Sequence, residues 1–238
     1  MAWQGIVFDL NGGRLWDVAP QAGACVRVSA AVRGRSLSPE AMAVHVHGRN
    51  NRYTLEYLLS RPLSGDEIER LSEEKEEHYR RLCLAQGRAG FRLSPGAASL
   101  LDWLAAHGIP RAIATASGRV NVDFFREHLG LDRWFDQALV YDDGTLRGKP
   151  APDLYLRAAG TLGLAPAGCV VVEDSVSGLE AARAAGTGLV VALGPPGKHA
   201  ALAALPLLQA LRRRFAPVAA SPWPAQLRGG LKPSQVRV

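Results

Sequence analysis

The second half of the chain alternates short apolar runs with segments of helical spacing, and this alternation limits the possible fold more than any other feature. From residue 94 onwards, runs rich in Val, Ile, Leu and Ala follow segments with amphipathic helical patterns. Such alternation is typical of parallel strands joined by right-handed helical crossovers. We therefore predict an α/β fold with a Rossmann-like, doubly wound parallel sheet. The strands are predicted at 112–115, 138–141, 169–174 and 188–193, and the helices at 96–107, 120–129, 152–162 and 178–185.

A further strand is predicted near the N-terminus, where an apolar run at residues 5–8 ends in Asp9. Asn11, Gly12 and Gly13 follow almost directly. In open parallel sheets the ligand crevice lies outside the carboxyl ends of the strands. The position of Asp9 therefore suits a nucleophile or a metal ligand, although a carboxylate that only caps a turn has the same pattern.

Residues 17–92 have only helical patterns, so they are predicted to form an all-helical insertion after the first strand. Ser64, followed by Asp66 and Glu67, has the sequence of a capped helix N-terminus with acids in its first turn. Apolar residues then recur near helical spacing to about residue 84.

Three parts of the chain are predicted from these patterns. Residues 1–16 and 93–200 form the Rossmann-like core domain, residues 17–92 form a helical cap domain, and residues 201–238 form a basic tail that contains prolines. The tail carries six of the 28 basic residues and no acidic residue, while the remaining 22 basic residues are matched by 22 acidic ones. Since no DNA- or RNA-binding motif is present, we expect no specific nucleic-acid partner.

Composition excludes several other classes of protein. A hydrophobic content of 47% and a charged content of 21% are ordinary for a globular protein, and no apolar run is long enough to span a membrane. Cys25, Cys83 and Cys169 are too few and too widely spaced for a disulfide framework or a zinc site. With no secretory signal visible, we expect a cytoplasmic protein without a membrane partner, as a monomer or weak dimer.

Polar chemistry recurs where the predicted strands end. Thr115 ends the second strand, Lys149 follows the third, and Glu173 and Asp174 end the fourth. Each residue has an ordinary explanation by itself, as a helix cap, a solvated loop charge or a polar turn. The carboxyl ends of parallel strands share one edge of a sheet. Polar residues that follow several of these ends, together with Asp9, therefore favour a single site.

These residue types suit phosphoryl transfer. Asp9 and Asp174 supply the oxygen ligands that Mg²⁺ prefers. With the charge shielded by a metal, a carboxylate such as Asp9 can attack phosphorus and form an aspartyl-phosphate. Thr115 and Lys149 can hold the transferring phosphoryl oxygens and balance their charge.

Four segments also have the order and spacing of a known motif set. They are Val7-Phe8-Asp9-Leu10-Asn11-Gly12, Ile113-Ala114-Thr115-Ala116-Ser117, Gly148-Lys149-Pro150-Ala151-Pro152-Asp153 and Val172-Glu173-Asp174-Ser175-Val176-Ser177-Gly178. With them, nearly all of residues 4–195 resembles the haloacid dehalogenase superfamily, in the branch of small phosphatases and β-phosphoglucomutase-like enzymes that carry a helical cap.

The resemblance implies a substrate and catalytic roles. The substrate is expected to be a small phosphorylated metabolite, with a sugar phosphate as the leading candidate. Asp9 is expected to be the nucleophile, Thr115 and Lys149 to bind the phosphate, and Ala116 to lie beside them in the substrate site.

The resemblance also implies a Mg²⁺ site. Asp9 and Asp174 are the expected ligands, together with the backbone carbonyl of Asn11 and with Glu173 assisting.

Asn11 departs from this pattern. The phosphatases and mutases of the family carry a second Asp there as general acid and base, and a side-chain amide cannot give or take that proton at neutral pH. Because general acid–base help contributes about 10²–10⁴-fold, we expect weak turnover, with Mg²⁺ and phosphate binding retained. The segment Gly12-Gly13-Arg14 also suggests one inserted residue relative to the family pattern after the nucleophile. Deamidation at Asn11-Gly12 would restore the acid, and peptide mass analysis that finds only Asn11 in aged protein would exclude it.

Alternatives therefore remain open. A β-phosphoglucomutase-type phosphotransferase would need the missing acid even more, and a catalytically silent phosphometabolite-binding protein would not need it. Dehalogenases of the superfamily also lack the second Asp, but they lack the helical-cap pattern too.

The predicted helical insertion contains candidate substrate contacts. Arg49 and Asn51, in the polar break after residue 46, and Lys75, in the long helix, resemble the positions of substrate-facing groups in sugar-phosphate members of the family. The alternative for Lys75 is a solvated charge on the helix surface, among the acidic residues Glu73, Glu74, Glu76 and Glu77.

Overall fold

The computed structural model describes residues 3–11, 23–24, 37–93, 97–135 and 138–192. Its centre is a sheet of five parallel strands in the order β3-β2-β1-β4-β5, as the alternating sequence pattern predicts. The strands are β1 Gly5–Phe8, β2 Arg111–Gly118, β3 Leu139–Asp142, β4 Cys169–Glu173 and β5 Leu189–Ala192.

Strand β1 lies in the middle of the sheet and pairs with β2 on one side and β4 on the other. Val7 is opposite Ala112 in β2 and Val171 in β4. All four residues of β1 are buried, because helices cover both faces of a parallel sheet of this kind. Asp9 therefore leaves the sheet at its centre, between the carboxyl ends of β2 and β4.

Helices connect the strands and form the inserted segment between β1 and β2. Their bounds are α1 Pro39–His45, α2 Asn51–Leu59, α3 Gly65–Ala85, α4 Gly87–Gly90, α5 Ala97–Ala106, α6 Arg119–Leu129, α7 Asp132–Phe135, α8 Asp153–Thr161 and α9 Val176–Ala184, with a 3₁₀ turn at Pro166–Gly168.

Two apolar clusters lie on opposite faces of the sheet. On one face Phe8 packs with side chains of α5, α6 and α7, such as Phe125. On the other face Val7 packs with side chains of α8 and α9, such as Tyr155 and Leu179. Adjacent residues of β1 thus point into different cores, which is the expected alternation of a strand buried on both faces.

The inserted helices, α1 to α4, agree with the helical pattern in this part of the chain. Ser64 and Glu67 form a reciprocal capping box at the start of α3, and the Asn50 side chain caps α2. The division into a core, a cap and a tail stays a prediction. Among the described helices, none combines the length and hydropathy needed to cross a bilayer.

Two of the predicted elements differ from the observed bounds by two residues or more at one end. Strand β2 continues past residue 115, because Gly118 pairs with Asp142 after a shift in register. Helix α9 begins at Val176, two residues earlier than predicted, because the Ser175 hydroxyl accepts a hydrogen bond from the Gly178 N–H and caps the helix. The tail at 201–238 and residues 12–16, where the sequence suggests one inserted residue, lie outside the described residues.

Candidate active site

Lys149 connects two carboxylates at the edge of the sheet. Its Nζ donates to Asp9 Oδ1 at 2.6 Å and to Glu173 Oε2 at 2.6 Å. The Lys149 side chain has no exposed surface, and both acids are buried. The sequence reasoning placed these three residues in one site, and the structure brings them together.

Burial and mutual charge shape the titration of this group. Burial and the nearby charges of Glu173 and Asp174 raise the pKa of Asp9 well above its usual range, against the opposing effect of Lys149. Burial acts to lower the pKa of Lys149, but the negative charges of Asp9 and Glu173 outweigh burial and raise it well above its usual range. The same contacts that hold Lys149 beside Asp9 therefore favour its ammonium form.

Glu173 is held by hydrogen bonds on both carboxylate oxygens. Oε2 accepts from Lys149 and from the Tyr155 hydroxyl, and Oε1 accepts from the backbone N–H groups of Asp174 (2.8 Å) and Ser175 (2.9 Å) and from the Ser175 hydroxyl (3.0 Å). Although burial opposes it, the charge of Lys149 and these hydrogen bonds lower the pKa of Glu173. Glu173 is thus an ionised group that fixes Lys149.

Gly178 makes room for that carboxylate. A Cβ added at Gly178 would lie 1.7 Å from Glu173 Oε2, so no other residue fits without displacing Glu173. A glycine in the first turn of α9 is therefore a requirement of the site.

Three acidic side chains at this edge fit a divalent cation. Asp9, Glu173 and Asp174 each offer an oxygen, and these oxygens lie within 4.8 Å of one another. Carboxylate oxygens are the ligands that Mg²⁺ prefers. Since Glu173 already accepts several hydrogen bonds, Asp9 and Asp174 are the better suited direct ligands, and Glu173 supports them.

Asn11 is bound by two hydroxyl groups of β2. Thr115 Oγ1 donates to Asn11 Oδ1 at 3.0 Å, and Ser117 Oγ donates to the same oxygen at 3.1 Å. Asn11 Nδ2 donates to the Tyr79 hydroxyl at 3.5 Å. Thr115 is 1% exposed, and its hydroxyl is directed to Asn11, so a phosphate-binding role for Thr115 stays a prediction.

A cleft with about 710 Å³ of space outside protein atoms, partly open to solvent, separates the sheet edge from the inserted helices. Its walls include four residues named from sequence as substrate contacts, whereas Thr115 and Lys149 lie buried behind the lining. The four residues are Arg49, Asn51, Lys75 and Ala116.

Arg49 joins the inserted helices to the Lys149 loop. Its Nη1 donates to the backbone carbonyl of Lys149 at 2.8 Å, and its Nε donates to the carbonyl of Val44 at 3.2 Å. The guanidinium group stacks over the Tyr53 ring at 4.5 Å from its centroid. These contacts hold Arg49 at the wall of the cleft.

Lys75 also lies at the cleft and not on the solvated face of α3. Its side chain is 11% exposed, and it forms an ion pair with the neighbouring Glu76. The Asn121 amide of α6 donates to Glu76 Oε2 at 2.5 Å, and Arg80 Nη1 donates to Asn121 Oδ1 at 2.8 Å. This network connects the inserted helix α3 to the helix that follows β2.

Sequence reasoning missed several residues at the site, because their positions depend on packing. Ser117 lies in one of the four motif segments but has no predicted role, and Tyr155 has the sequence pattern of an ordinary core residue. Glu76, Tyr79 and Asn121 have no strand-end signal at all, although the apolar spacing of α3 does place Tyr79 on its buried face.

Comparison with protein families identifies the chain. A model of haloacid dehalogenase-like hydrolases matches residues 3–186. The chain belongs to the haloacid dehalogenase-like hydrolase family. This confirms the resemblance drawn from the four motifs and agrees with the sheet order and strand-end site.

Known haloacid dehalogenase-like proteins are similar over most of the chain. Hexitol phosphatase A of Escherichia coli (strain K12) is 36% identical over 200 residues, covering 82% of this chain and 85% of that protein. A crystal structure of an HAD hydrolase, family IA, variant 3, from Entamoeba histolytica has a TM-score of 0.68 and 34% identity, covering 77% of this chain and 81% of that chain.

A ligand complex is also among the similar structures. A mutant of CbbY from Rhodobacter sphaeroides in complex with xylulose-(1,5)bisphosphate has a TM-score of 0.66 and 26% identity, covering 78% of this chain and 84% of that chain. Three other curated relatives are matched over 25%, 42% and 56% of their own length.

Proposed function

We propose that this hydrolase is a Mg²⁺-dependent phosphatase of small phosphorylated metabolites, with sugar phosphates as the leading substrate class. The observation that carries the proposal is the Asp9 carboxylate, which lines a cleft with polar side chains and accepts a hydrogen bond from the Lys149 ammonium buried behind it. The names of two similar proteins, a hexitol phosphatase and a CbbY bound to a sugar bisphosphate, support it.

In the proposed reaction, an Asp9 carboxylate oxygen attacks the phosphorus of a bound monoester. A bond forms between Asp9 and phosphorus, and the bond from phosphorus to the ester oxygen breaks. The sugar oxygen leaves and takes up a proton. Water then attacks the aspartyl-phosphate, which releases inorganic phosphate and regenerates Asp9. Lys149 balances negative charge beside Asp9 in both steps.

Asp9 and Asp174 are proposed to hold Mg²⁺, with the backbone carbonyl of Asn11 as a third ligand and Glu173 in support. When bound, the ion shields the phosphoryl charge from the attacking carboxylate. We propose that the inserted helices serve as a cap, with Arg49, Asn51 and Lys75 contacting the non-reacting part of the substrate.

Asn11 limits the proposed reaction. Its carboxamide accepts from Thr115 and Ser117, so it can position groups at the floor of the cleft, but it cannot give a proton to the leaving oxygen. Turnover is therefore expected to be slow, with the proton supplied by solvent.

The test is a phosphate-release assay with Mg²⁺ on a panel of sugar phosphates and polyol phosphates. We expect slow release that the Asp9→Asn substitution abolishes. Release that persists in the Asp9→Asn protein would contradict the proposal, because the activity would not come from this site.

A catalytically silent phosphometabolite-binding protein is the second candidate, and the amide at position 11 favours it. This function predicts Mg²⁺-dependent binding of sugar phosphates, measured by calorimetry, without phosphate release from any of them. A β-phosphoglucomutase-type transfer predicts instead that phosphate moves between positions of a sugar, which can be followed by ³¹P NMR.

A further inference from the structure

Glu76 places a carboxylate in the wall of the cleft, where a phosphate-binding pocket would be expected to be cationic. Its side chain is 16% exposed and contacts Lys75 through one oxygen and the Asn121 amide through the other, at 2.5 Å. Asn121 is itself fixed by Arg80 Nη1 at 2.8 Å. Glu76 is therefore held in position by residues of two helices.

The Glu76 carboxylate is ionised in this position. Burial acts to raise its pKa, but the charge and hydrogen bond of Lys75, with hydrogen bonds from the Asn121 and Asn51 side chains, lower the pKa below its usual range. Lys75 and Glu76 together therefore add no net charge to the cleft.

Arg49 is a second cation among the described residues of this wall. In the described part of the chain no carboxylate forms an ion pair with it, and its guanidinium is held by the carbonyls of Lys149 and Val44. Among the described residues that line the cleft, a phosphate dianion placed beyond the reacting phosphate would thus meet one uncompensated positive charge, that of Arg49. A neutral hydroxylated group would instead find hydrogen-bonding side chains such as Asn51 and Ser117.

We propose that Glu76 is a specificity-determining residue that favours substrates with one phosphate and an uncharged, hydroxylated remainder over bisphosphates. It does so by neutralising Lys75, which otherwise would attract a second phosphate, and Asn121 positions it for that role. This inference rests on the proposed phosphatase site, but it concerns only which phosphorylated substrates the cleft binds.

The test measures binding, so that it does not depend on turnover. Affinities for fructose monophosphate and fructose bisphosphate are measured by calorimetry, with Mg²⁺, on the full chain carrying Asp9→Asn. We expect the monophosphate to bind at least as tightly as the bisphosphate. Adding Glu76→Gln should increase the affinity for the bisphosphate about tenfold relative to the monophosphate, because Lys75 regains its net charge.

Two further variants separate this effect from a general change in charge. Glu77→Gln removes the same charge from the next residue of α3, whose side chain is 59% exposed and pairs with Arg81, and it should leave the affinity ratio unchanged. Lys75→Met should shift the ratio in the opposite direction, further against the bisphosphate.

An unchanged ratio in the Glu76→Gln protein, an equal shift in the Glu77→Gln protein, or no binding of either sugar phosphate would overturn the inference. Failure of the proposed function is a separate result, namely no Asp9-dependent phosphate release by the unmodified chain from any substrate.

Discussion

Lys149 Nζ lies 2.6 Å from Asp9 Oδ1 and the same distance from Glu173 Oε2, so one ammonium group joins two buried carboxylates from neighbouring strands. These residues are 140 and 24 positions away from Lys149 in sequence. The proposed nucleophile and its counter-charge therefore form a single electrostatic unit, and removing one member should affect both stability and activity.

Substitution of Lys149 by Met should destabilise the protein and abolish phosphate release. Two buried carboxylates would lose the only ion-pair partner described for them. Removing one partner of a buried ion pair typically lowers the free energy of unfolding by about 3–5 kcal/mol. Urea unfolding gives the change in free energy, and the phosphatase assay gives the change in activity. A Lys149→Met protein with unchanged stability and turnover would contradict this account of the site.

Substitution of Asn11 by Asp should raise turnover by about 10²–10⁴-fold, since it supplies the missing general acid. Phosphate release is measured with Mg²⁺ in the unmodified and Asn11→Asp proteins. Peptide mass analysis must show that position 11 is still Asn in the unmodified sample, because deamidation would produce the same residue.

The Asp9→Asn, Asn11→Asp double variant is the control for that comparison and should be inactive. If Asn11→Asp and the unmodified protein are equally inert, the loop after Asp9 does not support catalysis, and the silent binding function becomes the better interpretation.

Substitution of Gly178 by Ala should disrupt the site. The new methyl group would lie 1.7 Å from Glu173 Oε2, so the carboxylate must leave its hydrogen bonds with Lys149 and Tyr155. We expect a lower melting temperature and lost phosphate release.

Gly160, an exposed glycine of α8, is the matched control. A Cβ at Gly160 meets no atom within 4 Å, so Gly160→Ala should stabilise the helix by about 0.5–1 kcal/mol and leave activity unchanged. Equal effects of the two substitutions would show that the close approach at Gly178 does not matter.

The start of α3 should lose stability in acid through Glu67. The Glu67 carboxylate accepts hydrogen bonds from the Arg61 guanidinium and from the Ser64 backbone N–H. These hydrogen bonds and the positive charge of Arg61 lower the pKa of Glu67 to about 2. Because the folded pKa lies below the usual 4.5, the stabilisation is complete above about pH 4.5 and is lost as the pH falls towards 2. Melting temperatures of the unmodified and Glu67→Gln proteins should differ near neutral pH and converge in acid.

Glu69→Gln, at an exposed position of the same helix, controls for the loss of one charge. The melting temperatures of the unmodified and Glu69→Gln proteins should differ much less than those of the unmodified and Glu67→Gln proteins near neutral pH. A Glu67→Gln difference that does not change with pH would mean that the capping box does not depend on ionisation.

Local patterns predicted the strands and the strand-end residues well. Hydrophobic runs bounded by polar turns depend on neighbours in sequence, and the parallel arrangement then places Asp9, Thr115, Lys149 and Glu173 at one edge. The errors were at element ends, as for β2, where pairing with β3 continued past Thr115.

The sequence by itself determined the α/β class, the family and the carboxylate, hydroxyl and ammonium groups of the site, because periodicity and motif spacing are local properties. Tertiary structure alone decided how those groups are used. The Thr115–Asn11 and Asn121–Glu76 hydrogen bonds join residues 104 and 45 positions apart. The first contact arises from the pairing of β1 with β2, and the second from the packing of the inserted helix α3 against α6. No spacing along the chain encodes that the adjacent Lys75 and Glu76 side chains lie in the wall of the cleft.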